Sequence, residues 1–119
     1  MFSFLRRGKA GQPPSVADLA MAVSRGEVLL VDVREAQELA QTGKAQGALH
    51  LPLGQLPALA DPALPGALIR PGRPVAVYCV MGARSAKAAE VLRGLGYDPV
   101  WNIGGLKDWV AGGGQVEST

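Results

Sequence analysis

A single cysteine and a single histidine in 119 residues remove several kinds of chemistry at the outset. Cys79 has no partner for an intramolecular disulfide, and a small domain without a disulfide framework fits a reducing compartment, so a cytoplasmic location is expected. His50 is the only imidazole, which leaves a cysteine hydrolase with one choice of general base, on a different predicted strand from the thiol. No stretch approaches the roughly 18 consecutive apolar residues of a membrane span, so no transmembrane segment is expected. In Met1 to Lys9 the apolar Phe2, Phe4 and Leu5 precede Arg6 and Arg7, the reverse of the order in a secretory signal. Charge is sparse too. Twelve Lys and Arg against ten Asp and Glu give +2 with no basic cluster beyond that first segment, so no nucleic-acid partner is indicated.

What is present is a globular balance, 48% hydrophobic against 18% charged, at the length of one domain. Residues 1–14 end in Pro13-Pro14 and are expected to be a flexible lead. The domain spans 15–111, and the glycine-rich stretch 112–119 is expected to be a flexible tail. Ser15 is a plausible N-cap for a helix running to Arg25-Gly26. Val28 to Val33 is a continuous, β-branched apolar run, the pattern of a strand buried on both faces. A short helix from Glu35 to Gln41 and a short strand from Gly47 to Pro52 follow. Six of the nine prolines lie between Pro52 and Pro74, which breaks that region into short turns around Leu53 to Leu59 and Ala63 to Ile69. Pro74 to Tyr78 is the second buried strand, Arg84 to Leu95 a helix, Asp98 to Ile103 a further strand and Leu106 to Ala111 the last helix. Strands that alternate with helices and are apolar throughout indicate an α/β fold with a parallel sheet covered on both faces.

Ligands of such sheets bind outside the carboxyl ends of the strands, and Cys79 stands at one. Val80-Met81-Gly82-Ala83 then forms a short loop in which Gly82 permits unusual dihedrals. A helix follows at once. Amides turned inward above a helix start favour an anion, so the thiol at Cys79 is expected to be largely ionised at neutral pH. Arg84 closes the loop with a fixed charge suited to an incoming oxyanion or to orienting the loop.

Cys79-Val80-Met81-Gly82-Ala83-Arg84-Ser85 resembles the active-site loop of the rhodanese family. Asp32-Val33-Arg34 with Glu38, then Gly47-Ala48 with Pro52, then Asn102-Ile103-Gly104-Gly105 with Trp109, are similar in order to further family elements. The resemblance covers Ser15 to about Ala111. It implies a rhodanese-like three-layer fold with a mostly parallel five-stranded sheet flanked by helices. It also implies a persulfide on Cys79, a cradle of amides from Val80 to Arg84, and neither cofactor nor metal. Asp32 and Arg34 are read as a charged pair bracing the first strand. Gly43-Lys44-Ala45 and His50 depart from the family's usual residues outside the loop. Within it, Val80 and Met81 are apolar where members active on thiosulfate often carry a cation.

The implied reaction is nucleophilic catalysis in two halves. Cys79 takes sulfur from a small donor, thiosulfate or a persulfide, and an external thiophilic acceptor, cyanide, a thiol or a protein, removes it. A cysteine phosphatase would resemble its relatives in having five residues between Cys and Arg, whereas Val80 to Ala83 supplies four. A non-catalytic binding or regulatory module on the same fold stays open, with Val80 and Met81 as a docking surface. Leu53 to Leu59 is a candidate rim of the active-site mouth.

Overall fold

The computed structural model describes residues 12–119. Met1 to Lys9 and most of the expected flexible lead lie outside them. Ser15 opens helix α1 (Val16–Ser24) by accepting the Asp18 amide on Oγ at 3.1 Å, which satisfies one of the donors that a helix start leaves free. Strand β1 (Leu29–Asp32) is buried at every position. Next come α2 (Ala36–Thr42), β2 (Lys44–Ala45) and β3 (Leu49–His50). The proline-rich stretch folds only as a 3-10 turn at Leu53–Gln55, helix α3 (Leu56–Ala60) and turns. The chain closes with β4 (Val75–Cys79), α4 (Ala83–Gly94), β5 (Val100–Gly105), α5 (Leu106–Ala111) and β6 (Val116–Glu117).

The main sheet has the order β3-β1-β4-β5 and is parallel throughout. Side chains alternate across a strand, so each strand feeds two cores. Leu29, Val31, Val75, Val77 and Cys79 pack with Leu56 and Ala60 of α3 and with Ala88, Ala89 and Leu92 of α4. Leu30, Ala76 and Tyr78 meet Leu19 and Ala22 of α1 and Trp109 of α5. Both tryptophans are buried in that second core. Three layers result, as the apolar strands predicted.

The strand count differs from the expected five. The parallel sheet has four strands, and β2 pairs antiparallel with β6 as a separate two-stranded sheet. The stretch 112–119, expected to be a flexible tail, therefore runs back along the domain. Trp109 Nε1 donates to the Gln115 carbonyl at 2.7 Å, and Lys44 pairs with Glu117. Gly112 and Gly114, which suggested fraying, sit where a Cβ would collide with Val16 and with the Trp109 ring. Their small size allows close packing here. Within Leu53 to Leu59, Leu56 is fully buried and Leu53 and Leu59 pack on the first core, while Gly54, Gln55, Pro57 and Ala58 are exposed.

A buried ion pair marks the end of β1. Arg34 meets Asp32 through Nε at 3.1 Å to both carboxylate oxygens and through Nη2 at 2.7 Å. The remaining donors reach Thr42 Oγ1 and the Gly43 carbonyl, both at 2.8 Å. Tyr78 donates its hydroxyl to Asp32 at 2.5 Å and accepts the Ala45 amide at 2.9 Å. His50 Nε2 lies 2.6 Å from the Arg34 carbonyl, so the lone histidine serves a strand end. Removing one partner of such a pair strands the other charge away from water. Asp32→Ala is expected to cost roughly 3–5 kcal/mol of folding stability, read by urea unfolding; a loss below about 1 kcal/mol would remove the bracing role from this pair.

Candidate active site

Cys79 is the last residue of β4, where the register with β5 shifts between Val77 and Cys79 before Cys79 aligns with Gly105. That irregularity ends the strand and starts the loop. Gly82 follows with φ +108°, a left-handed value that glycine adopts without strain, and it is the residue from which α4 begins. On the far side, a Cβ on Gly105 would overlap the Val80 carbonyl, so the β5–α5 corner presses backbone against the loop. Gly105 is needed for that approach.

The resulting turn surrounds the sulfur with donors. Gly82 N lies 3.0 Å and Ser85 N 3.4 Å from Sγ, and Ser85 Oγ lies 3.3 Å away. Only 1% of Cys79 is exposed. Burial alone pushes its thiol up, but the Ser85 hydroxyl and the amides of Ser85, Gly82 and Met81 outweigh it and bring the thiol down to about 7. A thiol with that value populates the thiolate substantially at neutral pH, in the direction expected from the loop alone.

Ser85 is tied in turn to Asn102 of β5. Its hydroxyl donates to Asn102 Oδ1 at 2.6 Å, Gly104 N donates to the same oxygen at 3.0 Å, and Asn102 Nδ2 donates to the Gly82 carbonyl at 2.9 Å. A hydroxyl has one proton to give. While Cys79 is a thiol, S–H can donate to Ser85 and Ser85 to Asn102. Once Cys79 is ionised, the Ser85 proton turns to sulfur and Asn102 keeps the Gly104 amide. Asn102 was visible in the sequence only as part of a closing motif, and nothing local connects it to a cysteine on another strand.

Arg84, expected either to meet an oxyanion or to orient the loop, is held in a two-point pair with Glu38, at 2.7 and 2.8 Å. Those bonds outweigh burial, which pushes the other way, and with the Glu35 amide they hold the Glu38 carboxyl down to about 2. The pair ties α4 to α2 across the mouth. Beside it lies a groove of about 800 Å³ lined in part by Val80, Met81, Leu106, Lys107, Val110 and Ala111. Among the described residues no cluster of three or more His, Cys, Asp or Glu is placed to hold a metal.

The chain matches the rhodanese-like domain family over residues 15–112. It belongs to the rhodanese family. This rhodanese domain is 32% identical to human thiosulfate:glutathione sulfurtransferase over 111 residues, which cover 85% of this chain and 96% of the relative. It is 37% identical over 90 residues to an uncharacterized protein of Bacillus subtilis, covering 75% of this chain and spanning 64% of that relative's length. A rhodanese-related protein from Thermoplasma volcanium has a similar structure, with a TM-score of 0.72 and 27% identity over 91% of this chain and 99% of that one.

The hydrogen bonds around the rhodanese cysteine make a prediction about its acidity. The pH profile of Cys79 alkylation by iodoacetamide should have its midpoint near 7. Ser85→Ala should move it up toward the ordinary thiol value of about 8.5. An unchanged midpoint in the variant would mean that the hydroxyl contributes nothing to the anion.

Proposed function

We propose that this rhodanese domain is a sulfurtransferase that carries sulfane sulfur as a persulfide on Cys79. In the first half-reaction the Cys79 thiolate attacks the outer sulfur of a donor such as thiosulfate. A new S–S bond forms, the donor's S–S bond breaks, and sulfite leaves with the electron pair. In the second, an acceptor nucleophile attacks the outer sulfur of the persulfide. With cyanide the products are thiocyanate and the restored Cys79 thiolate. No proton acceptor is needed once Cys79 is ionised, which agrees with a site whose only histidine is engaged elsewhere.

The observation that carries this reading is the ring of donors around a buried sulfur. Gly82 N, Ser85 N and Ser85 Oγ hold a negative charge there, and Arg84 lies within electrostatic reach of it. A persulfide anion extends the same charge outward by one atom, toward the amides of the loop from Val80 to Arg84. Asp32 and Arg34 brace the strand that lies beside β4, and Arg84 with Glu38 fixes the loop's far end. The relative named for thiosulfate and glutathione supports donors and acceptors of those two kinds. A cytoplasmic setting fits the free thiol, and among the described residues no helix is long and apolar enough to cross a membrane.

The exposure of Met81 (76%) and Val80 (44%) favours a second reading, a binding module with no turnover. Intact-mass measurement separates the two. After incubation with thiosulfate or a persulfide donor, the protein should gain one sulfur atom at Cys79, at a rate that rises with pH through about 7. Cyanide should then restore the original mass and release thiocyanate, and Cys79→Ser should do neither. A wild-type protein that gains no sulfur and forms no thiocyanate would overturn the sulfur-transfer reading and leave the binding module.

A further inference from the structure

The groove beside the loop is much larger than inorganic sulfur chemistry requires. Its volume of about 800 Å³ lies within the roughly 300–1,000 Å³ usual for pockets that hold organic molecules, whereas thiosulfate and cyanide would fill only a small part of it. Its walls are apolar side chains kept in water. Met81 is 76%, Val110 51% and Val80 44% exposed, and Leu106 and Ala111 complete the surface between the loop and α5. Met81 serves both places, since its amide is one of those facing the Cys79 sulfur while its side chain lines the groove. A molecule seated in the groove therefore lies against a loop residue whose backbone faces the reacting atom.

The charges at the groove leave one uncommitted. Arg34 is spent on Asp32, and Glu38 is spent on Arg84. Lys107, in the first turn of α5, is exposed on the wall and makes no hydrogen bond or ion pair among the described residues. The surface thus presents an apolar body with a single free cation at its edge.

We propose that this groove binds the organic acceptor of sulfur transfer, a thiol with an apolar body and one anionic group, the body lying on Val80, Met81, Leu106 and Val110 and the anion at Lys107. The inference rests on the sulfur-transfer reading above. The acceptor thiolate attacks the outer sulfur of the Cys79 persulfide, a new S–S bond forms on the acceptor, the Cys79 S–S bond breaks, and the Cys79 thiolate leaves with the electron pair. The acceptor departs as its own persulfide. No oxidant or reductant is consumed.

The test uses protein loaded on Cys79 with a persulfide donor and discharged by alkyl thiols of closely similar intrinsic acidity. Mercaptohexanoate should react at least ten-fold faster than mercaptopropionate, because each further buried methylene contributes about 0.8 kcal/mol at most, several-fold in rate. Removing the anion, as in mercaptohexanol, should lower the rate about three-fold, the scale of an exposed ion pair. Lys107→Gln should bring the mercaptohexanoate rate down to that of mercaptohexanol. Val110→Asp should lower the ratio of the mercaptohexanoate rate to the cyanide rate at least ten-fold. Equal rates for all three thiols would overturn the proposal, as would discharge only by protein thiols. A second arm needs no turnover: hexanoate, which lacks the thiol, should shift the NMR signals of Val80, Met81 and Val110 saturably, and more weakly in Lys107→Gln. Absence of those shifts also overturns it. Failure to load Cys79 at all would instead strike at the sulfur-transfer reading, so the two failures are distinct.

Discussion

A negative charge on a sulfur that is almost wholly buried has to be balanced by something other than water, and in this protein backbone amides do it. An isolated buried anion would be neutralised by a rise in its pKa. Here the tight turn from Cys79 to Ser85 directs two amides and a hydroxyl at Sγ within 3.0–3.4 Å. The amides are fixed dipoles, and they need no rearrangement when the charge moves outward onto a second sulfur. The loop must therefore hold its shape. Gly82 turns in the left-handed region, and Gly105 lets β5 approach the Val80 carbonyl.

Much of the remaining structure keeps that loop in place. Asn102 reaches from β5 to the Gly82 carbonyl and to Ser85, so it touches the two residues whose amides lie 3.0 and 3.4 Å from the sulfur. Arg84 anchors the start of α4 to Glu38 on α2. One layer further out, Asp32, Arg34 and Tyr78 join the ends of β1 and β4 to the end of α2 and to β2. The charged side chains around the site are largely committed to one another. The groove next to the loop is left apolar, with Lys107 as its free cation.

The order of elements was legible in the sequence because buried parallel strands are written as unbroken apolar runs, and Val28 to Val33 and Pro74 to Tyr78 are such runs. Ser15 and the apolar spacing from Ala86 to Leu95 similarly marked helices. The position of Cys79 between a strand and Gly82 was legible for the same local reason. Five features were not. The pairing of Lys44–Ala45 with Val116–Glu117 joins two-residue segments far apart in the chain, too short for any periodic signal. Gly112 and Gly114 have the composition of a loose end, and only the positions of Val16 and Trp109 show that they are close-packed. The Asn102–Ser85 contact and the Glu38–Arg84 pair depend on which strands and helices become neighbours. Burial of Cys79, which limits its ionisation, likewise depends on the assembled layers.

A crystal structure of the protein after loading with a persulfide donor tests the amide cradle most directly. If the loop is the anion site, a second sulfur bonded to Cys79 Sγ will lie inside the turn, within hydrogen-bonding distance of the backbone amides between Val80 and Arg84, with Asn102 still bonded to the Gly82 carbonyl. A second sulfur directed away from those amides, or bound to no atom of Cys79, would contradict it.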